Sequence, residues 1–223
     1  VWFEGMPSLE IVKRISNTHL VYYPNYVVDE NIADVVAERP KDRINLCYFG
    51  RVTPEKNVDV VIKAFNILCS KYDDVFLTVI GGSGFSKEYV KDIDAMIEQS
   101  PYKSHIVRKG LTPFAEIKEI MQSQHFFVFP SKERCEGHSN SLNEAMAQGL
   151  VPVVSDYHFN RAIVDDDRLI VEGYEQQAYA KKIIQIRENY DLRELSVKMR
   201  DRVRDAFSYD VVNNRIFEEL TKI

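Results

Sequence analysis

Short apolar runs alternate along the chain with longer segments in which apolar residues recur every three or four positions. The runs have the length of buried strands and lie at residues 45–49, 75–80, 106–107, 126–129, 151–154 and 168–171. The periodic segments predict helices at about residues 58–71, 87–99, 114–121 and 139–149, followed by two or three helices between residues 175 and 222. Strands that alternate with helices of ordinary length predict an α/β fold, a parallel sheet with helices on both faces.

The beginning of the chain shows a smaller pattern. Residues 1–3 and 20–23 predict short strands, and the spacing of Leu9, Val12 and Ile15 predicts a helix between them. We expect no separate sheet here, and we interpret residues 1–28 as the end of an upstream domain. The complete division is residues 1–28 as this remnant, 29–43 as a polar linker, 44–207 as the main domain and 208–223 as a C-terminal helix.

Composition restricts the class of protein. The chain has 223 residues, of which 45% are hydrophobic and 28% charged, which is typical of a globular protein with a core. The formal net charge of −5 argues against a nucleic-acid binder. No apolar run approaches the roughly 18 residues of a membrane span. Cys47, Cys69 and Cys135 are odd in number and widely spaced, which favours free thiols in a reducing cytoplasm over disulfides. No Cys/His spacing indicates a metal site.

The stretch from residue 129 to residue 155 carries the strongest functional signal. A strand ends at Pro130, a polar loop follows, and a helix begins near Ser139–Ser141 and ends at Gly149. The loop therefore lies at the carboxyl end of a parallel strand, where open α/β sheets bind ligands. The start of the helix offers free N–H groups and partial positive charge, which suit phosphate.

Two carboxylates flank this helix start, Glu136 before it and Glu144 within it, with seven residues between them. Glu144 has an alternative interpretation, because Ser141-x-x-Glu144 also fits a capping box that only closes the helix end. A surface loop remains the alternative for Glu136. His138 could contact a substrate, whereas His125 at the start of an apolar strand is more typical of a structural residue.

Right-handed crossovers place three further loops at the same edge of the sheet. Arg51 and Lys56 could together neutralise a diphosphate, although a solvated loop with a Glu55–Lys56 pair is the alternative. The glycines between Gly81 and Gly84 permit close approach of a ligand to the backbone, but they match neither a phosphate-binding nor a dinucleotide motif and could form an ordinary turn. The Gly110-Leu111 turn is a weaker signal of the same kind.

Taken together, these segments resemble one family. The matching motifs are Phe49-Gly50-Arg51 with Glu55-Lys56, Ile80-Gly81-Gly82-Ser83-Gly84, Pro130-Ser131, Glu136-Gly137, Glu144-Ala145-Met146-Ala147 with Gly149 and Pro152, and Phe207-Ser208-Tyr209. They are similar to the signatures of the group 1 (family 4) retaining glycosyltransferases, which have the two-domain GT-B architecture. The resemblance covers about residues 44–223 and implies a Rossmann-like domain, the donor-binding half of such an enzyme.

The resemblance also implies roles for individual residues. Arg51 and Lys56 would hold the donor diphosphate and stabilise the leaving nucleotide, and Glu136 would contact the transferred sugar. Glu144 would bind the ribose hydroxyls. The other donor-binding positions would be Gly82, Gly84, Gly110 and Leu111 around the base, and Gly137, His138 and the backbone of Ser139, Asn140 and Ser141 around the sugar and phosphates. No metal or other cofactor is expected, because the cations replace it.

Two departures from the family pattern affect these assignments. The gap between Ser131 and Glu136 is longer than usual, which makes Glu133 a second candidate for the sugar-contacting carboxylate. His138 replaces a common aromatic residue.

The expected partners are a nucleotide sugar such as a UDP- or GDP-sugar and a glycan or lipid-linked acceptor bound through an upstream domain, with no nucleic acid. The resemblance points to polysaccharide or lipopolysaccharide synthesis, in the cytoplasm or at the inner face of the membrane, with peripheral membrane association. A non-catalytic sugar- or nucleotide-binding module and a nucleotide-sugar epimerase are the alternatives.

Overall fold

The computed structural model describes residues 2–5, 8–15, 19–83, 86–132 and 137–222, with all their side chains except those of Trp2 and His158. The strands within these residues are β1 Trp2–Phe3, β2 Val21–Tyr22, β3 Ile44–Phe49, β4 Val75–Ile80, β5 Ile106–Lys109, β6 Phe126–Phe129, β7 Val151–Ser155 and β8 Ile170–Val171. The helices are α1 Leu9–Ile15, α2 Val58–Cys69, α3 Lys87–Glu98, α4 Phe114–Met121, α5 Asn140–Ala147, α6 His158–Val164, α7 Gln176–Asn189, α8 Leu192–Phe207 and α9 Tyr209–Leu220.

The main sheet has six parallel strands in the order β5-β4-β3-β6-β7-β8 and is flanked by helices, which confirms the predicted α/β class. From β3 the chain first builds outward through β4 and β5. It then returns to the other side of β3 and continues through β6, β7 and β8. The strand order therefore reverses between β3 and β6, and this reversal is where open α/β sheets form a ligand crevice at the carboxyl ends of the strands.

The apolar runs became central strands because both of their faces are covered. All four residues of β6 are at most 1% exposed, as are Leu46, Cys47 and Tyr48 of β3. Helix α2 packs against α7, and α5 packs against α8. Of the three cysteines, Cys47 and Cys69 are buried free thiols, as predicted, and Cys135 lies outside the described residues. None of the described helices is long and apolar enough to cross a membrane.

The first part of the chain, residues 1–28, which we call the leading piece, differs from the prediction in one respect. The two strands β1 and β2 pair in parallel and form a small sheet of their own, which the sequence analysis did not expect. No residue of α1 is buried, and Ile11 and Ile15 are 64% and 78% exposed. The piece contacts α9, because the Arg215 guanidinium lies over the Tyr22 ring at 5.8 Å.

The segment predicted as a linker, residues 29–43, is packed against the main domain along much of its length. Val36 is 2% exposed. Its backbone carbonyls accept hydrogen bonds from arginine side chains of α8, for example Ala33 O from Arg200 at 2.9 Å. Arg39 in turn donates to Gln148 O at 2.9 Å, behind the end of α5. The division into domains stays a prediction.

The sequence analysis missed one helix, α6. Residues 175–222 form three of the described helices, α7, α8 and α9, in agreement with the predicted two or three, and caps explain the breaks between them. Asp191 accepts hydrogen bonds from the backbone N–H groups of Arg193 and Glu194, and Ser208 accepts one from Val211. Helix α5 ends as predicted before Gly149, whose φ of +75° suits glycine and whose Cα approaches Val36 so closely that a Cβ would clash.

Candidate functional site

The loops after β3 and β6 meet at the point where the strand order reverses. Lys132 N donates to Glu55 O at 2.9 Å, and Asn57 Nδ2 donates to Pro130 O at 2.8 Å. These two hydrogen bonds join the loop that carries Arg51 and Lys56 to the loop that leads into α5. The structure thus places both loops on the same edge of the sheet, as predicted.

Lys56 lies deep in this junction. It ends a short 3₁₀ turn, Pro54–Lys56, and is only 3% exposed, with its Nζ 5.0 Å from the centre of the Phe129 ring at the end of β6. A charged ammonium group is buried only where other groups stabilise it, and an aromatic face does so in part. Lys56 is therefore not the solvated surface residue of the alternative interpretation.

Arg51 lies at the rim of the same loop and is exposed. Tyr48 Oη donates to Arg51 O at 2.5 Å and holds the backbone there. The preceding Gly50 adopts a φ of +144°, and a Cβ built on it would lie 3.7 Å from Ser141 Oγ. The backbone of Gly50, immediately before Arg51, is therefore next to the first turn of α5.

The first turn of α5 has the free N–H groups that the prediction requires. Ser139 caps the helix, and its Oγ accepts from Leu142 N at 3.4 Å. Within the described part of the chain, the backbone N–H groups of Ser139, Asn140 and Ser141 donate to no acceptor. Together with the partial positive charge of the helix end, they form a mouth that is suited to an anion, which we define as the backbone from His138 to Ser141.

Glu144 is not part of a capping box. Because the cap is Ser139 and not Ser141, Glu144 is the fifth residue of the helix and lies too far along to close its start. Its carboxylate makes no hydrogen bond or ion pair with the described residues, and burial raises its pKa from 4.5 to about 7. A half-buried acid without a partner, on a helix that begins at the ligand edge, is typical of a functional site.

The glycine turns continue this edge across β4 and β5. Val52 N donates to Gly82 O at 2.9 Å, and Gly81 N lies 3.1 Å from Gly110 O. Leu111 is 94% exposed beside Gly82. A pocket of about 380 Å³ borders these turns, lined by Gly81, Gly82, Ser83 and Gly110 together with residues of α3 and Arg108. Gly84 lies outside the described residues.

His138 is at the site but its imidazole is enclosed. The side chain is 3% exposed, its Nε2 lies 2.7 Å from Asn143 Nδ2, and its ring packs edge-on against Phe207 at 4.7 Å. Burial lowers its pKa to about 4, so the ring is neutral near pH 7. Gly137 adjoins Glu4 of the leading piece. Donor contacts by these two residues stay predictions.

The candidates for the sugar-contacting carboxylate, Glu133 and Glu136, lie outside the described residues. Their neighbours Lys132 and Gly137 are described, and Lys132 is hydrogen-bonded to the Lys56 loop. The choice between the two carboxylates stays open.

His125 lies at the opposite edge of the sheet and has the structural role that was expected. Its Nδ1 accepts from Asn45 N at 3.0 Å, its Nε2 lies 3.0 Å from Pro40 O, and burial lowers its pKa to about 4. It borders a cleft of about 450 Å³ at the amino ends of the strands. This cleft is larger than the glycine-turn pocket, but it contains none of the predicted site residues.

Sequence reasoning missed three polar groups at the ligand edge. Thr53 Oγ1 and Asn143 Oδ1 are buried without a partner among the described residues. Asn25 Nδ2 donates to His138 O at 2.8 Å, although more than a hundred residues separate the two in the chain. No local sequence pattern marks these residues, because tertiary contacts alone bring them together.

A parallel sheet with a free helix start and a buried lysine at its reversal point is typical of α/β proteins that bind nucleotides or phosphates. Comparison with known sequences identifies the family. The profile of the family described as "Glycosyl transferases group 1" matches residues 29–205, and the chain belongs to this family.

Curated relatives support the assignment. The chain is 24% identical over 191 residues to a poly(glycerol-phosphate) alpha-glucosyltransferase of Bacillus subtilis. The matched region covers 83% of this chain and 27% of that protein. It is 27% identical over 183 residues to the capsular polysaccharide biosynthesis glycosyltransferase CapM of Staphylococcus aureus, covering 80% and 45%. The chain spans 27% to 47% of the length of such relatives.

Solved structures share the fold. A mutant of Staphylococcus aureus TarM, solved in complex with fondaparinux, alpha-GlcNAc-glycerol and UDP, has a TM-score of 0.75 at 19% identity. The match covers 98% of this chain and 43% of that chain. Anabaena Alr3699/HepE, in complex with UDP and glucose, has a TM-score of 0.81 at 16% identity over 100% and 63%. These similarities confirm the GT-B type of fold.

Proposed function

We propose that this chain is the donor-binding half of a glycosyltransferase that moves a sugar from a nucleoside diphosphate sugar to a glycan or lipid-linked acceptor with retention. The observation that carries the proposal is the junction of the β3 and β6 loops, which places buried Lys56 and the mouth of α5 on one edge of the sheet. The capsular polysaccharide relative supports a role in polysaccharide synthesis.

The donor diphosphate would lie between the N–H groups of the α5 mouth and the cations Arg51 and Lys56. Negative charge develops on the diphosphate as the bond to the sugar breaks. Fixed N–H dipoles and a largely desolvated ammonium group stabilise that charge strongly, because they need not reorganise during the reaction. In this scheme the two cations take the place of a metal ion, and no cofactor is required.

The remaining roles follow the position of each residue. Glu144 would accept hydrogen bonds from the ribose hydroxyls, and the turns at Gly82 and Gly110-Leu111 would border the base. Gly84 belongs to the same proposed border. Glu136, or Glu133 in its place, would contact the transferred sugar, with Gly137 and His138 beside it. The neutral, enclosed His138 ring is suited to packing and not to proton transfer.

The acceptor would be bound by an upstream domain, and the complete protein would work in the cytoplasm or as a peripheral protein at the inner face of the membrane. The chain by itself should bind the donor weakly and transfer no sugar. An epimerase would need an acid–base group within this half. The described histidines at the two edges, His125 and His138, are buried and hydrogen-bonded, so neither is placed to be that group.

A thermal-shift panel tests the proposal. The chain is heated with UDP, GDP, ADP and their sugars, and a ligand that binds only the folded state stabilises it by RT ln(1 + [L]/Kd). We expect one base to give a clear shift that Lys56→Met removes, whereas Lys63→Met on the exposed face of α2 keeps it. No shift with any nucleotide at millimolar concentration would overturn the proposal.

A further inference from the structure

Asn25 forms a closed hydrogen-bonded cluster behind the α5 mouth with two residues more than a hundred positions away, His138 and Asn143. Asn25 Nδ2 donates to His138 O at 2.8 Å. Asn143 Nδ2 donates to Asn25 O at 3.1 Å and lies 2.7 Å from His138 Nε2. Each member of the cluster therefore contacts both of the others.

The chemistry of the groups fixes the direction of every bond in the cluster. An amide nitrogen can only donate, so His138 Nε2 accepts, and the ring must be the neutral tautomer with its proton on Nδ1. The Asn143 amide cannot be reversed, because its oxygen would then face Asn25 O. One consequence is that Asn143 Oδ1 is buried without a partner among the residues that the structure describes.

A buried acceptor without a donor destabilises a protein, so each such exception calls for an explanation, of which a functional role is one. Asn143 is 1% exposed, a position at which an apolar residue would be expected if packing alone mattered. Its backbone N–H also donates to Ser139 O at 3.1 Å, so Asn143 contacts the mouth of α5 from both its side chain and its backbone.

The cluster is also attached to residues 25–27, near the end of the leading piece. Two residues after Asn25, Val27 pairs with the junction of α8 and α9, since Val27 N donates to Phe207 O and Tyr209 N donates to Val27 O, both at 2.9 Å. The ring of Phe207 contacts the His138 imidazole. Residues 25–27 are therefore held on one side by the α5 mouth and on the other by the C-terminal helices.

We propose that Asn25, His138 and Asn143 are positioning residues that hold the α5 mouth in the conformation that binds diphosphate and couple it to the segment at residues 25–27. This inference rests on the proposed function of the mouth. None of the three side chains needs to touch the donor. They act by fixing the backbone from residue 138 to residue 141, whose N–H groups can converge on a phosphate only if their dihedral angles are set in advance.

The test uses neutral replacements, because a new carboxylate would itself repel an anion. The variants are Asn143→Leu, Asn25→Ala and the double variant, and Asn189→Leu at the exposed end of α7 is the matched control. Affinity for the nucleotide that stabilises the wild-type chain most, and for inorganic pyrophosphate, is measured by calorimetry beside the melting temperature without ligand. Hydrogen exchange of the amides of residues 138–142 is measured in the absence of ligand.

We expect each single variant to weaken nucleotide binding about tenfold, the size of one well-placed hydrogen bond. The double variant should lose much less affinity than the product of the two single losses, because both changes release the same backbone. Exchange at residues 138–142 should accelerate while the amides of β3 and β4 keep their rates. Asn189→Leu should change neither property.

Two results would overturn the inference. One is a lower melting temperature in the Asn143 and Asn25 variants with nucleotide affinity within twofold of the wild type, which would make the cluster merely structural. The other is unchanged exchange at residues 138–142. If the wild-type chain bound no nucleotide at all, the proposed function would fail, and the exchange measurement would still decide whether the cluster shapes the mouth.

Discussion

Replacing Glu144 with glutamine should stabilise the protein at high pH and weaken its binding of nucleotide. Burial raises the pKa of the Glu144 carboxyl from 4.5 to about 7. Between these two pH values the carboxyl keeps its proton in the folded state, whereas it has released the proton in the unfolded state. Stability therefore falls as pH rises through this window, and the cost is complete above about pH 7.

The size of the effect follows from the shift. At 1.36 kcal/mol per pKa unit, the pKa shift of Glu144 corresponds to a loss of about 3 kcal/mol in the free energy of unfolding. The carboxyl is partly exposed to solvent, which reduces this loss to about 2 kcal/mol. Glutamine stays neutral and avoids this cost. For a chain of this length we expect Glu144→Gln to melt roughly 4–8 °C above the wild type at pH 8 and at nearly the same temperature at pH 4.5.

The assay is thermal unfolding of both proteins from pH 4.5 to pH 8, with Glu119→Gln on the exposed face of α4 as the control. Other titrating groups are common to both proteins and cancel in the difference. Nucleotide binding is measured over the same range. If Glu144 binds ribose as a carboxylate, wild-type affinity should fall by up to tenfold per unit below pH 7, while the variant binds weakly at every pH.

Either of two results would refute this reasoning. A melting difference between wild type and Glu144→Gln that does not change with pH would mean that the carboxyl titrates normally. Undiminished nucleotide affinity in the variant would mean that the acid is not part of the donor site.

Three further predictions concern the edges of the sheet. In the complete enzyme, Lys56→Met should lower turnover by a factor on the order of 10² to 10³, whereas Lys63→Met should not; equal rates would remove Lys56 from the mechanism. Gly81→Ala should destabilise by about 3 kcal/mol in urea unfolding, because its Cβ would collide with the backbone beside β3, whereas Gly110→Ala, with open space around it, should stay within about 0.5 kcal/mol. Burial lowers the pKa of His125 to about 4, so stability should be lost as pH falls from 6.5 to 4, and an unchanged slope in His125→Gln would contradict this.

The sequence predicted the central strands well because each is a compact apolar run, and it did best where a clear signal ends the run. The limits of β4 and β6 agree with the prediction to the residue, since a glycine follows one strand and a proline the other. Helix α6 was missed because it is one of the shortest helices described, no side chain caps it, and it ends at Asp165 in a left-handed conformation where glycine would be the usual signal.

The site was predictable as a set of loops but not in its details. Right-handed crossovers bring the loops after parallel strands to one edge, whichever residues they contain. Ser139 and not Ser141 caps α5, and the residue before this cap is hydrogen-bonded to Asn25, a contact that no local pattern reveals. The same holds for the burial of Lys56 and Glu144, because their exposure is decided by elements distant in the chain.

The most direct test of the central claim is a crystal structure of the chain soaked with the nucleoside diphosphate that stabilises it most. We predict that the diphosphate lies against the backbone N–H groups of residues 139–141, within reach of Arg51 and Lys56, with the ribose beside Glu144. A nucleotide bound elsewhere, for example in the cleft beside His125 at the opposite edge of the sheet, would contradict the account.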